Sequence, residues 1–177
     1  MGKRKPLDPG KIKPATLWID AKHYRKAAEG LIAMAADAAS RGDEGGVRQL
    51  LRPTWLVICT SMELGFKAYL NRQGFTLERL KWDVGHNLHQ LQQDVLEQAE
   101  PDGELAWIVS RMKPAIGLLN EPYMDKRFVY RQIGVARYPK EQAVVCRLLE
   151  VFQGAIKPLV NLPVEGDGPE AEGIHPA

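Results

Sequence analysis

Long apolar runs are missing from this chain. No stretch approaches the ~20 apolar residues that cross a bilayer, so no membrane span is expected. Cysteine is scarce: Cys59 and Cys146 are the only two. Two thiols fit neither a zinc spacing nor a secreted disulfide framework. Each sits within an apolar helical pattern, so both are expected to be reduced core residues of an intracellular protein. A large excess of one charge is missing too. The formal net charge is +2, which excludes a molecule that is a polycation throughout. The opening MGKRKPLDPG has charge but no apolar stretch, so no secretory signal is expected. Pro6 stands where a myristoylation signal needs Ser or Thr. There is no Gly-rich phosphate loop, no Ser or Cys nucleophile motif and no His-Glu-x-x-His. The expectation is a cytoplasmic protein with no cofactor and no metal.

What is present is an ordinary globular composition, 45% hydrophobic and 26% charged over 177 residues. That length suits one domain with a real core. Charge gathers at the two ends. Lys3, Arg4, Lys5, Lys11 and Lys13 against Asp8 give residues 1–15 a net +4, while Glu165, Asp167, Glu170 and Glu172 give residues 163–177 a net −4. Both ends are rich in Pro and Gly and read as solvated arms. The domain is placed at 16–162.

Five helices are expected. The first spans 16–41, where Ile19, His23, Ala27, Leu31 and Ala35 recur at helical spacing, many alanines let another helix approach closely, and Arg41-Gly42 supplies the stop. GDEGG reads as a turn. The second starts near Arg48 or Pro53 and ends at Arg72, with Gly74 just past it. Its stretch WLVICTSMELGFKAYL is apolar almost all round, which predicts a central position. The third covers 87–99, with Leu88, Leu91 and Val95 inward. The fourth covers 102–119, and Pro114 should kink or split it. The fifth starts near Pro139, carries Val145, Leu148, Leu149, Phe152 and Ile156, and is ended by Pro158 and Pro163. The connector NEPYMDKRFVYRQIGVARYP before it does not read as helix; a short hairpin or an extended arm fits it. The class is all-α, an antiparallel bundle.

One segment carries a family pattern. Glu63-Leu64-Gly65-Phe66-Lys67-Ala68-Tyr69-Leu70 ends an apolar helix, and Gly85-His86-Asn87-Leu88 opens the next one. Together with Arg137-Tyr138-Pro139 ahead of the last helix, these residues resemble the HEPN superfamily of small helical bundles. The resemblance implies a homodimer and one of two fates. Some members are metal-independent ribonucleases, often toxins paired with a nucleotidyltransferase-type antitoxin. Others have lost that site and bind a nucleotide, RNA or a protein partner. The nuclease members carry Arg-x(4–6)-His near the start of the last long helix. Here Arg137 is followed by Gln142, Ala143 and Val144 in that window, and by no His. The resemblance therefore implies a non-catalytic binding module first and a toxin-type ribonuclease second. A purely structural interaction domain is the third reading.

The candidate residues follow. Arg79 and His86 are separated by six residues. An imidazole can take a 2′-hydroxyl proton and a guanidinium can steady a phosphorane, so His86 with Arg79, or with an arginine of the connector, is the candidate catalytic site. The bland reading makes the same corner a helix start capped by Asn87. His86 and His89 with Glu63 or Asp83 could be drawn as a metal site, but His-x-x-His alone is weak. Glu63 and Lys67, at i and i+4 in the most apolar helix, should pair with each other or with another helix, since a lone buried charge is costly. Lys67 could instead hold a phosphate. The connector interleaves Tyr123, Lys126, Arg127, Phe128, Tyr130, Arg131, Arg137 and Tyr138. Aromatic faces stack on bases and cations hold phosphates, so a nucleotide or single-stranded RNA suits it. The ligand candidates are thus Lys67, Asn87, Tyr123, Arg127, Tyr130, Arg131, Arg137 and Tyr138.

Overall fold

The computed structural model describes residues 13–128 and 141–161. Six α-helices follow in order: α1 (Pro14–Ser40), α2 (Glu44–Arg72), α3 (Leu88–Gln98), α4 (Glu104–Arg111), α5 (Lys113–Met124) and α6 (Gln142–Val160). A π-helical turn (Arg79–Asp83) lies between α2 and α3. No strand occurs among the described residues. The all-α class holds. α4 and α5 are the halves of the expected fourth helix, broken at Met112 just ahead of Pro114. Counted as one leg, they leave a bundle of five.

α2 is central, as its all-round apolar stretch predicts. It touches α1, α3, α5 and α6. Trp55, Ile58, Met62, Phe66 and Leu70 along it are fully buried. Phe66 meets Phe152 of α6 edge to face at 5.2 Å. Leu88, Leu91 and Val95 of α3, and Ile108, Met112, Ile116 and Leu119 of α4 and α5, complete the core. Cys59 and Cys146 are buried and unbridged. Burial pushes the Cys146 thiol up to about 11.

Four expectations need correction. α1 buries Ala21, Arg25, Ala28 and Ala38, not the face through Ile19 and His23; Ile19 is exposed. Small side chains let α1 lie close against α2, so the apolar residues that mark the other face stay outside. α2 starts at Glu44, which puts Pro53 inside it. Asp43 caps the helix, its Oδ1 accepting from the Gly46 N–H at 2.8 Å, and the long apolar stretch offsets the roughly 3 kcal/mol of an interior proline. Residues 120–124 of the expected non-helical connector belong to α5, because Leu119 and Tyr123 are buried one turn apart. Pro158 lies within α6, where Ile156 and Val160 are buried on either side of it. The expected hairpin and Pro163 lie outside the described residues.

No helix among the described residues is long and apolar enough to cross a membrane.

Candidate functional site

Leu56, Thr60, Glu63 and Lys67 recur along α2 at helical spacing and so share one stripe. Two other segments close on that stripe. The first is the corner after α2. Val84 and Leu88 are buried and pin its ends, and Gly85, at φ +58°, turns the chain between them. Asn87 then caps α3, its Oδ1 accepting from the Gln90 N–H at 3.1 Å. This leaves His86 held between two anchors with its ring at the surface. The second is the end of α5, which brings Tyr123 across to α2.

Glu63 joins them. It is 5% exposed, and its two oxygens take three donors. Oε1 accepts from Lys67 Nζ at 2.7 Å. Oε2 accepts from the Tyr123 hydroxyl at 2.6 Å and lies 2.8 Å from His86 Nδ1. The rings of His86 and Tyr123 also meet edge to face at 5.7 Å. Burial alone would raise the Glu63 carboxyl. The Lys67 ammonium and the hydrogen bonds from His86, Lys67 and Tyr123 outweigh it and hold the group below the usual carboxylate range. Burial, with the Glu63 charge beside it, pushes the Tyr123 phenol well up. At neutral pH the centre therefore holds a carboxylate at Glu63 and a neutral phenol at Tyr123.

Outside this centre lies a cleft of about 180 Å³ lined by Leu56, His86, Tyr123, Lys126 and Phe128. Lys126 reaches it by an unusual backbone. Three helices end in the same hydrogen-bonded turn, in which two successive N–H groups fold back on the last carbonyls. After α1 the bonds run from Gly42 to Ala39 and from Asp43 to Ala38. After α2 they run from Gly74 to Asn71 and from Phe75 to Leu70. After α5 they run from Lys126 to Tyr123 and from Arg127 to Pro122. The first residue of each pair is left-handed, at φ +72° for Gly42, +94° for Gly74 and +56° for Lys126. Glycine fills two of these positions and avoids the steric cost; lysine accepts it at the third.

The remaining candidates are engaged elsewhere. The Arg79 guanidinium lies 4.1 Å over the Phe75 ring, while His86 is held by Glu63. Arg127 donates to Glu121 at 2.6 Å and to Asp125 at 2.7 Å. His89 donates its backbone N–H to Asn120 Oδ1 at 3.2 Å. No cluster of three or more His, Cys, Asp or Glu suited to a metal occurs among the described residues. Tyr130, Arg131, Arg137 and Tyr138 lie outside them. Sequence reasoning named Glu63 as an ion-pair partner and as a conceivable metal ligand, not as the centre that gathers Lys67, His86 and Tyr123, and it missed Leu56. The visible sign was a carboxylate in the most apolar helix, which demands several donors. Comparison of the chain with protein-family models, with curated proteins and with solved structures finds no match.

Proposed function

We propose that this chain is a HEPN-like binding module whose cleft beside His86 receives the phosphate end of a nucleotide or of RNA. The observation that carries this reading is Lys126. A lysine in a left-handed turn where the chain elsewhere uses glycine is costly to stability, and such strain clusters at ligand-binding positions. Lys126 lines a cleft with aromatic walls, and a cation beside aromatic faces is the combination that suits a phosphate joined to a base. The cleft is smaller than the ~300–1,000 Å³ of sites that enclose a drug-sized ligand. It fits one terminal group, and the rest of a nucleotide extends beyond it. Titration of the full chain with adenosine monophosphate, followed by NMR, tests the reading. Shifts should centre on His86, Tyr123 and Lys126, and Lys126→Ala should weaken binding by roughly tenfold, the size of one charge-assisted hydrogen bond. Shifts spread over the surface, or equal affinity in the variant, would refute it.

A second reading is a metal-independent ribonuclease of the toxin type. It is favoured by the buried carboxylate on His86, the arrangement that orients a general base. The position of Arg79 over Phe75 counts against its partnership with His86. Cleavage of RNA with all metals chelated, lost in both His86→Ala and Arg79→Ala, would establish the original pair. The homodimer, and a nucleotidyltransferase-type protein partner, belong to the same family-based proposal.

A further inference from the structure

His86 meets Glu63 through Nδ1 alone, and this fixes what its other nitrogen can do. Glu63 already accepts from Lys67 and from the Tyr123 hydroxyl, which has one proton and lies at 2.6 Å. A carboxylate with these partners is ionised and can only accept. The hydrogen in the 2.8 Å contact must therefore sit on His86 Nδ1. In a neutral imidazole the other nitrogen is then a bare acceptor. The His86 side chain is 57% exposed while Glu63 is buried, so the exposed edge is the one bearing Nε2. His86 and Lys126 line the same cleft.

We propose that Glu63 is a positioning residue that holds His86 with its Nε2 lone pair toward the cleft, so that the site selects a phosphate ester carrying its own hydroxyl or amine donor. Lys126 takes the ligand's negative charge, and Nε2 accepts its hydrogen. This rests on the reading of the cleft as a phosphate seat. It adds that a bare phosphate group is an incomplete ligand. Tyr123 shares the carboxylate and walls the same cleft, so ligand, phenol and imidazole are tied to one buried charge.

Two measurements test it. The first needs no ligand. Long-range proton–nitrogen correlation spectra of the full chain, in mildly alkaline solution, report which imidazole nitrogen carries the proton. His86 should be protonated at Nδ1, against the Nε2–H preference of free imidazole side chains. A wild-type Nε2–H form overturns the proposal outright. Glu63→Leu combined with Lys67→Met removes both charges together at similar volume and should return His86 to the Nε2–H form. An unchanged tautomer in that folded variant would equally overturn it. The second compares 2-hydroxyethyl phosphate with ethyl phosphate. The hydroxyl ester should bind roughly fivefold tighter, the scale of one net hydrogen bond. The preference should vanish in the double variant while ethyl phosphate still binds. Equal binding of the two esters by the wild type overturns the donor selection alone. Failure of both esters to move His86 or Lys126 overturns the phosphate seat and this inference with it.

Discussion

Glu63 shows how one side chain can set both stability and site chemistry. It is a buried charge made tolerable by three donors from three segments. Glu63→Ala should cost about 3–5 kcal/mol, because Lys67 and the Tyr123 hydroxyl would be left buried without their acceptor. Glu63→Leu with Lys67→Met should cost less, since apolar replacement of an ion pair is often near neutral and the Tyr123 hydroxyl is then the buried group that loses its acceptor. Denaturant midpoints of the three proteins decide this. Acid gives the same comparison a second axis. The carboxyl is held below its ordinary value of 4.5. A depressed acid contributes stability that is complete above the ordinary value and is lost as pH falls through the folded one. The wild type should therefore lose stability more steeply than the double variant once pH drops below 4.5. Parallel curves would mean that Glu63 is not the group responsible. Lys126 separates the two roles in the opposite direction. Lys126→Gly relieves a left-handed side chain and should stabilise the protein by about 0.5–1 kcal/mol, while the same change weakens phosphate binding. A variant that is both less stable and unaltered in binding would remove Lys126 from the argument entirely.

Helix packing puts opposite demands on glycines that look alike in the sequence. A Cβ built on Gly65 of α2 would stand 3.2 Å from Phe152 Cε1, whereas one built on Gly117 of α5 or Gly154 of α6 meets nothing within 4 Å. Gly65→Ala must displace a fully buried ring and should cost about 1–3 kcal/mol. Gly117→Ala and Gly154→Ala should each add about 0.5–1 kcal/mol through helix propensity alone. Thermal midpoints of the three variants check the signs, and a stabilising Gly65→Ala would mean that α2 and α6 are less closely packed than described. This is also where the sequence is legible and where it is not. Central α2, the caps Asn87 and Gly74, and the break near Pro114 follow from local chemistry, and each is found. The buried face of α1 does not follow, because Ala21 and Ala28 are chosen for close approach while Ile19 and Met34 stay outside. The π-helical turn at 79–83 has no signature in residue type. Leu80 anchors it inward, and Trp82 beside it is 73% exposed.

At the scale of the whole molecule, the site depends on contacts that no single segment announces. His86, Tyr123 and Lys67 were each readable as candidates, but only the packing of α5 and the corner onto α2 places them on one carboxylate. A second buried network fastens the other side of α2. Arg25 Nε donates to Gln153 Oε1 at 2.9 Å, and Gln153 Nε2 donates to Ser61 Oγ at 3.0 Å. Ser61 Oγ in turn donates to the Ala21 carbonyl at 2.7 Å. Trp18 Nε1 donates to the Gln153 carbonyl at 2.8 Å, and Arg25 also pairs with Glu29. One glutamine thus links α1, α2 and α6. Gln153→Leu keeps the size of the side chain but leaves the Arg25 Nε without its acceptor and Ser61 without one donor. It should destabilise by about 2–3 kcal/mol, the cost of orphaning a buried charged donor. The trade should be visible in where protection is lost. If the network joins the three helices into one cooperative unit, amide exchange should quicken together in α1, α2 and α6. Quickening confined to α6 would show that α1 is held by its alanine face alone and that Gln153 is a local plug. The Glu63 centre gives the contrast within the same measurement. It binds α2 to α5 and the corner, so Gln153→Leu should leave the His86 tautomer unchanged even as α1 loosens.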